Sequence, residues 1–168
     1  MTVQVVFDAV VLVEATAFAG ATWLDWPAVP PVSGNTCQDA VGVIASSPVF
    51  DHDWALVSSR TIIQQTGDTL ATEIGLHPRD VAGYLRAVAH LAAASGGAVL
   101  DDPTATVIGH GADLAAPLDL ALAGRRLVVT ANPALVKLGP LWGPQRQPIM
   151  HAKEFVNRVD AARRGRGG

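Results

Sequence analysis

The sequence predicts an α/β protein, a three-layer α/β/α sandwich with a mostly parallel central sheet. Short runs of β-branched and aromatic residues alternate with longer stretches of helical periodicity, a pattern typical of a parallel sheet covered by helices on both faces. Apart from Gln4 and Thr130, the runs are apolar, as expected of strands that are buried on both faces. They comprise Val3–Phe7, residues 54–57, Leu127–Thr130 and residues 148–150, with a brief further strand at residues 99–100.

Helical signals fill the segments between the strands. Ser58 or Ser59 is placed to cap one helix, and Gly124, a common helix stop, ends another. The proline-rich segment 23–35 is instead expected to be a surface loop. The predicted helices cover residues 10–18, 36–45, 59–74, 77–95, 114–123 and 153–159.

The length of the chain fits one domain, because 168 residues fall within the usual range of about 100–200. No repeat or linker divides it, so we expect one domain over residues 1–160 and a basic flexible tail over residues 161–168. Hydrophobic residues make up 49% of the chain and charged residues 16%, so we expect a sizeable core rather than disorder.

Three features bear on where the protein resides. No apolar stretch is long enough to cross a bilayer, and the N-terminus lacks the basic segment of a secretion signal. The single cysteine, Cys37, cannot form an intramolecular disulfide. We therefore expect a soluble protein of the reducing cytoplasm that has no membrane partner.

Charge is distributed unevenly, although the formal net charge is only −3. Residues 1–59 contain six acids and no Lys or Arg, whereas residues 123–168 contain nine Lys and Arg against Glu154 and Asp160. Such a division could present an acidic pocket beside a basic lip, as a metal-dependent nuclease needs. A solvated basic C-terminal segment explains the same distribution.

Polar residues follow two of the predicted strands. Asp8 comes directly after Val3–Phe7, and Asn132 follows Leu127–Thr130 after one intervening residue. Ligand sites in open parallel sheets form beyond the carboxyl ends of the strands. We therefore expect Asp8 and Asn132 to converge at this edge, together with Asp113 at the start of a helix.

The distal half of the chain has an ordered set of motifs. Asp113 opens a helix, Gly124 ends it eleven residues later, and the next strand runs into Thr130-Ala131-Asn132. Residues 59–65 form the first part of a predicted helix and include Gln65, and residues 149–155 supply a closing strand and helix. Together with the segment around Asp8, these motifs resemble the PIN-domain nucleases over residues 3–157, and in particular the toxin components of toxin–antitoxin pairs.

The resemblance implies a hydrolase that cleaves RNA, or structured DNA, with one or two Mg²⁺ or Mn²⁺ ions held by three or four carboxylates. Such hard cations prefer oxygen ligands, lower the pKa of bound water and shield phosphate charge. Carried over by position, Asp8 and Asp113 keep their carboxylates and are the implied metal ligands. Gln65 stands where a helix glutamate is expected, and Asn132 stands where an aspartate is expected.

These departures reduce the implied site. Two carboxylates and two neutral amides suit at most one weakly held Mg²⁺ or Mn²⁺. Ala134 replaces a further frequent acid, and Ala9 and Val10 replace the polar pair that usually follows the first aspartate. Asp119 lies about 240° from Asp113 around an ideal helix, so both cannot face one pocket. If the helix instead begins at Pro117, the sequence does not decide whether Asp113 or Asp119 faces the pocket.

Each candidate residue also has a purely structural explanation. Asp8 can cap the helix that follows it, and Asp113 can be a first-turn acid favoured by the helix dipole. Asn132 is a natural turn residue before Pro133. Gln65 can be a passive replacement.

Other residues invite a functional reading beside a simpler one. Asp51-His52-Asp53 could hold a metal or form a turn, and His110 could act as a base or lie in a surface loop. Cys37 is expected to be a small buried residue. Trp23 and Trp26 could stack on bases or be partly buried.

Two functions follow most directly. The first is a toxin-like, metal-dependent endoribonuclease in which Asp8 and Asp113 bind the ion while Asn132 and Gln65 orient water or phosphate. The second is a catalytically inactive PIN domain that binds RNA, another nucleic acid, an antitoxin or a second copy in a homodimer. A nucleotide-binding protein is a third reading, but no Gly-rich phosphate loop follows the first strand.

Overall fold

The structure, a computed structural model, describes residues 2–19, 36–104, 111–142 and 148–167. Its five strands are β1 (Val3–Phe7), β2 (Trp54–Ser59), β3 (Ala98–Leu100), β4 (Leu127–Thr130) and β5 (Ile149–His151). They form one sheet in the order β3-β2-β1-β4-β5, and every neighbouring pair is parallel. Helices pack on the sheet, so the α/β/α fold class predicted from the sequence is confirmed.

The helices follow the strands along the chain. The π-helical turn Leu70–Ile74 continues α3, and the 3₁₀ turn Gly139–Leu141 follows α6. Ser59 is the cap of α3, since its hydroxyl accepts from the Ile62 N–H at 3.3 Å. The helices are α1 (Ala9–Ala19), α2 (Thr36–Phe50), α3 (Arg60–Thr69), α4 (Pro78–Ala94), α5 (Ala112–Gly124), α6 (Pro133–Leu138) and α7 (Ala152–Arg166).

β1 occupies the middle of the sheet because its residues suit burial on both faces. Val5, Val6 and Phe7 are fully buried, and each side chain of this kind contributes roughly 1.5–3 kcal/mol when removed from water. β1 pairs with β2 on one side and β4 on the other. The strand order therefore reverses between β1 and β4, and this switch point is where open α/β sheets bind ligands.

The start of α5 settles which acid opens it. The N–H groups of Leu114 and Ala115 donate to the Gly111 carbonyl at 3.1 and 2.9 Å, so the helix is already formed before Pro117. The alternative start at Pro117 is wrong, and Asp113 lies in the first turn.

The C-terminal helix is longer than predicted. Residues 161–166, expected to be a flexible tail, form the last part of α7. Arg163 pairs with Asp51 at 2.8 Å, and Arg166 pairs with Asp53 at 2.6 Å. These ion pairs hold α7 against the turn before β2, and they give Asp51 and Asp53 a structural explanation in place of the metal reading.

The position of these pairs also bears on the expected basic lip. The turn at residues 51–53 precedes β2, so α7 runs from the carboxyl edge of the sheet, after β5, back to the amino edge. Arg158 lies beside the strand starts at Val3 and Leu127, and Arg125 and Arg126 directly precede β4. Five of the C-terminal arginines therefore lie away from the carboxyl edge.

Three residues singled out from the sequence, Trp23, Trp26 and His110, lie outside the described residues. Across the described ranges, no helix combines the length and apolar character needed to span a membrane.

Candidate functional site

A cavity of about 580 Å³ opens at the carboxyl edge of the sheet, at the switch point between β1 and β4. All four residues predicted from the sequence line it: Asp8, Gln65, Asp113 and Asn132. They come from the end of β1, from α3, from the first turn of α5 and from the residues after β4. The fold thus brings together side chains that are up to 124 positions apart in the sequence.

Asp8 is the deepest of these groups, with only 2% of its surface exposed. Its carboxylate accepts from the Val11 N–H at 3.0 Å and from the Thr130 hydroxyl, so it caps α1 and also ties β1 to β4. Burial raises the pKa of Asp8 to about 6, although hydrogen bonds from Thr130, Val11 and the Ala131 backbone oppose this shift. The negative charge of Glu14 raises it further.

Asn132 lies on the opposite side of the switch point. Its N–H donates to the Thr130 hydroxyl oxygen at 2.8 Å, and its side-chain oxygen accepts from the Ala134 N–H at 3.0 Å. The residue therefore caps α6, with Pro133 in the first helical position. Because the same hydroxyl donates to Asp8, Thr130 connects the two strand ends through one side chain.

Gln65 and Asp113 reach the cavity from two different helices. Gln65 is half-buried on α3, and Asp113 is exposed in the first turn of α5. Asp119, the other acid of α5, is 8% exposed and does not line the cavity. This agrees with its position about 240° from Asp113 around the helix.

The cavity contains three further acids that were not assigned to it from the sequence: Glu14, Asp68 and Glu73. Helical spacing relates them to residues of the predicted site or its neighbours. Glu14 is one turn beyond Val10 on α1, Asp68 is one turn beyond Gln65 on α3, and Glu73 lies in the π-helical turn that continues α3. The direction in which these side chains point depends on the rotation of each helix about its own axis, and packing on the sheet determines that rotation.

Glu14 is held at the edge of the cavity by a buried thiol. The Cys37 thiol, on α2, donates to the Glu14 carboxylate with a sulfur–oxygen distance of 3.2 Å. Burial raises the pKa of Cys37 well above its ordinary value, and Glu14 adds to the shift. Cys37 is 3% exposed, which confirms the expectation of a small buried residue.

The cavity is strongly acidic. Five carboxylates line it, and none of the described lining residues is Lys, Arg or His. Such a surface attracts cations and repels phosphate unless a cation lies between. Within the described part of the chain, no three His, Cys, Asp or Glu side chains are grouped closely enough to hold a metal ion.

Comparison of the sequence with protein-family models, with curated proteins and with solved structures finds no match in any of the three. The resemblance to PIN-domain nucleases therefore stays a prediction.

Proposed function

We propose that the protein is a metal-dependent endoribonuclease of the PIN-domain type, with a reduced acidic site and weak activity. The observation that carries the proposal is the acidic cavity at the switch point of a parallel sheet, which contains Asp8 and Asp113 together with the amides of Gln65 and Asn132. RNA as substrate rests on the family resemblance.

The donor set suits one Mg²⁺ or Mn²⁺ rather than two. The Asp8 carboxylate accepts three hydrogen bonds, from Val11, Thr130 and the Ala131 backbone, and about one of its four lone-pair sites remains for an ion. Asp113 is exposed and supplies a second carboxylate. Because Mg²⁺ is often held by one or two carboxylates with waters and substrate phosphate, Asp8 and Asp113 would be its protein ligands.

A bound ion would supply an activated water and would shield the phosphate charge. The role of the chain itself is orientation. Asp8 is buried and fixed by hydrogen bonds from Val11, Thr130 and the Ala131 backbone, so it offers its oxygens in one geometry. Gln65 would donate its amide N–H groups to a phosphate oxygen, and Asn132 would do the same while its oxygen caps α6.

Calorimetric titration of the wild type and Asp8→Asn with Mn²⁺ tests the proposal, alongside cleavage of a single-stranded RNA. We expect weak binding of one ion per chain, lost in Asp8→Asn together with RNA cleavage. Glu154→Gln is the control, because this exposed acid of α7 lies outside the cavity. Cleavage that survives both chelator and Asp8→Asn would rule the proposal out.

A second candidate is a catalytically inactive domain that binds a nucleic acid or a protein partner, such as an antitoxin or a second copy. Two observations favour it. Asp8 and Asn132 both cap helices, so local structure explains their presence. The C-terminal arginines lie mostly at the amino edge, so they do not flank the cavity as RNA-guiding cations. Stable binding of a single-stranded RNA, measured by calorimetry, without cleavage would select this candidate.

A further inference from the structure

The acidic cavity also has an apolar side. Ala9, Val10 and Val13 line it along α1, where positions 9 and 10 lie one helical turn from position 13. Val13 is buried, and Ala9 and Val10 are half-buried. A hydrated metal ion gains little from such a surface, whereas a hydrocarbon chain placed on it leaves water favourably.

The carboxylates are distributed along the cavity rather than gathered at one point. Asp68 and Glu73 lie on the α3 side, Glu14 on α1 and Asp113 at the start of α5. Asp68 and Glu73 are five residues apart, which corresponds to about 7 Å along a helix. A ligand with several positive charges at intervals would meet more of these acids than a single compact ion would.

We propose that the cavity binds a linear aliphatic polyamine, with its methylene chain against Val10 and Val13 and its ammonium groups toward Asp68, Glu73 and Glu14. Primary ammonium groups stay charged at neutral pH and donate strong hydrogen bonds to carboxylates. The cavity volume of about 580 Å³ falls in the range of small-molecule sites.

This inference goes beyond the proposed function, because it requires neither a metal ion nor RNA. It also has a consequence for that function. A polyamine in the cavity would cover Asp8 and compete with a divalent cation for the same carboxylates, so it would inhibit the proposed reaction.

Calorimetric titration of the full chain with spermidine, at a constant ionic strength of about 0.1 M, tests the proposal. We expect Asp68→Asn/Glu73→Gln to weaken binding by roughly tenfold or more, because both carboxylates face the ligand. The matched control is Glu154→Gln/Asp160→Asn, which removes two negative charges from exposed positions on α7. It should leave the affinity within about twofold of wild type.

A change of ligand tests the apolar side without altering the protein. A triamine of equal charge and length whose chain is interrupted by ether oxygens should bind several-fold more weakly than spermidine, because it gains less from Val10 and Val13.

Three outcomes would overturn the inference. These are no spermidine binding, an equal loss in the two double variants, or much tighter binding of a trilysine peptide, which would assign the cavity to a basic peptide. Mn²⁺ titration of the same samples tests the proposed function separately. Spermidine binding without Mn²⁺ binding supports the polyamine site and excludes the metal site. Mn²⁺ binding without spermidine binding supports the metal site and excludes the polyamine site.

Discussion

At the scale of single residues, Asp8 couples the site to stability. Its folded pKa of about 6 lies above its ordinary value of 3.8, so the native state holds this proton more tightly than the unfolded chain does. The free energy of unfolding therefore falls as pH rises from about 4 through 6. A pKa shift of this size corresponds to about 3 kcal/mol in the free energy of unfolding. Solvent does not screen this effect, because the Asp8 side chain is buried.

Asp8→Asn should remove this pH dependence. The stability of the variant relative to wild type should improve by about 3 kcal/mol between pH 4 and pH 7, since only the wild type buries a charge there. Urea unfolding of both proteins in chelator at several pH values measures the difference, in which the contributions of the other acids cancel. A difference that stays flat would show that Asp8 titrates normally in the fold.

Restoring the two missing carboxylates is a second prediction at this scale. Gln65→Glu with Asn132→Asp adds two charges to a cavity that already contains five acids, while aspartate preserves the cap of α6. Repulsion should lower the Tm in chelator by about 5 °C. Added Mn²⁺ should raise the Tm of the double variant more than that of wild type, because binding to the native state stabilises it.

The same double variant should cleave single-stranded RNA faster than wild type if the proposed function is right. Gln64→Glu with Asn157→Asp is the control, since these exposed positions add the same charge outside the cavity. A double variant that gains Mn²⁺ binding but leaves RNA intact would favour the inactive binding domain.

At the scale of elements, the junction between α4 and β3 depends on a close backbone contact. A Cβ on Gly97 would lie 1.8 Å from the Leu56 carbonyl oxygen, whereas one on Gly96 would meet nothing within 4 Å. Gly96 does have a positive φ of 93°. Gly96 is therefore needed for its backbone conformation, and Gly97 is needed because there is no space for a side chain.

Gly97→Ala should destabilise the protein by about 3 kcal/mol, because the backbone must shift to relieve the clash. Gly96→Ala should cost only about 1 kcal/mol, the cost of a left-handed backbone for alanine. Urea unfolding of the two variants measures both. Equal losses of stability in the two variants would mean that the backbone at Gly97 can move away from Leu56 without an additional energetic cost.

The elements also show what a sequence can and cannot predict. Val3–Phe7 and Leu127–Thr130 were predicted because a buried parallel strand is a nearly continuous apolar run, so Asp8 and Asn132 could be placed at their ends. Glu14, Asp68 and Glu73 were missed because their direction depends on how each helix is rotated against the sheet. Residues 161–166 were predicted as a tail because the partners of Arg163 and Arg166 lie more than 100 positions earlier in the chain.

At the scale of the whole molecule, α7 connects the two edges of the sheet. Its end is fixed at Arg163, whose guanidinium contacts the Asp51 carboxylate at 2.8 Å, the Ser46 hydroxyl at 3.2 Å and the face of Phe50 at 5.1 Å. Asp51 and Arg163 are largely buried, with side-chain exposures of 4% and 23%. Burial alone would raise the pKa of Asp51, but hydrogen bonds from Arg163, Ser47 and the Asp53 backbone outweigh it and lower the pKa below its ordinary value.

Arg163→Met should therefore cost about 3 kcal/mol near neutral pH, because it leaves the Asp51 charge buried without its partner. Arg164→Met is the control: its exposed side chain should change stability by less than about 0.5 kcal/mol.

The lowered pKa of Asp51 fixes the direction of the pH dependence. The ion pair contributes fully above the ordinary aspartate pKa and is lost as pH falls through the lower folded value. The difference between wild type and Arg163→Met should shrink in acid, opposite in direction to the effect of Asp8. A difference that persists once Asp51 is protonated would show that Arg163 stabilises α7 through packing on Phe50 instead.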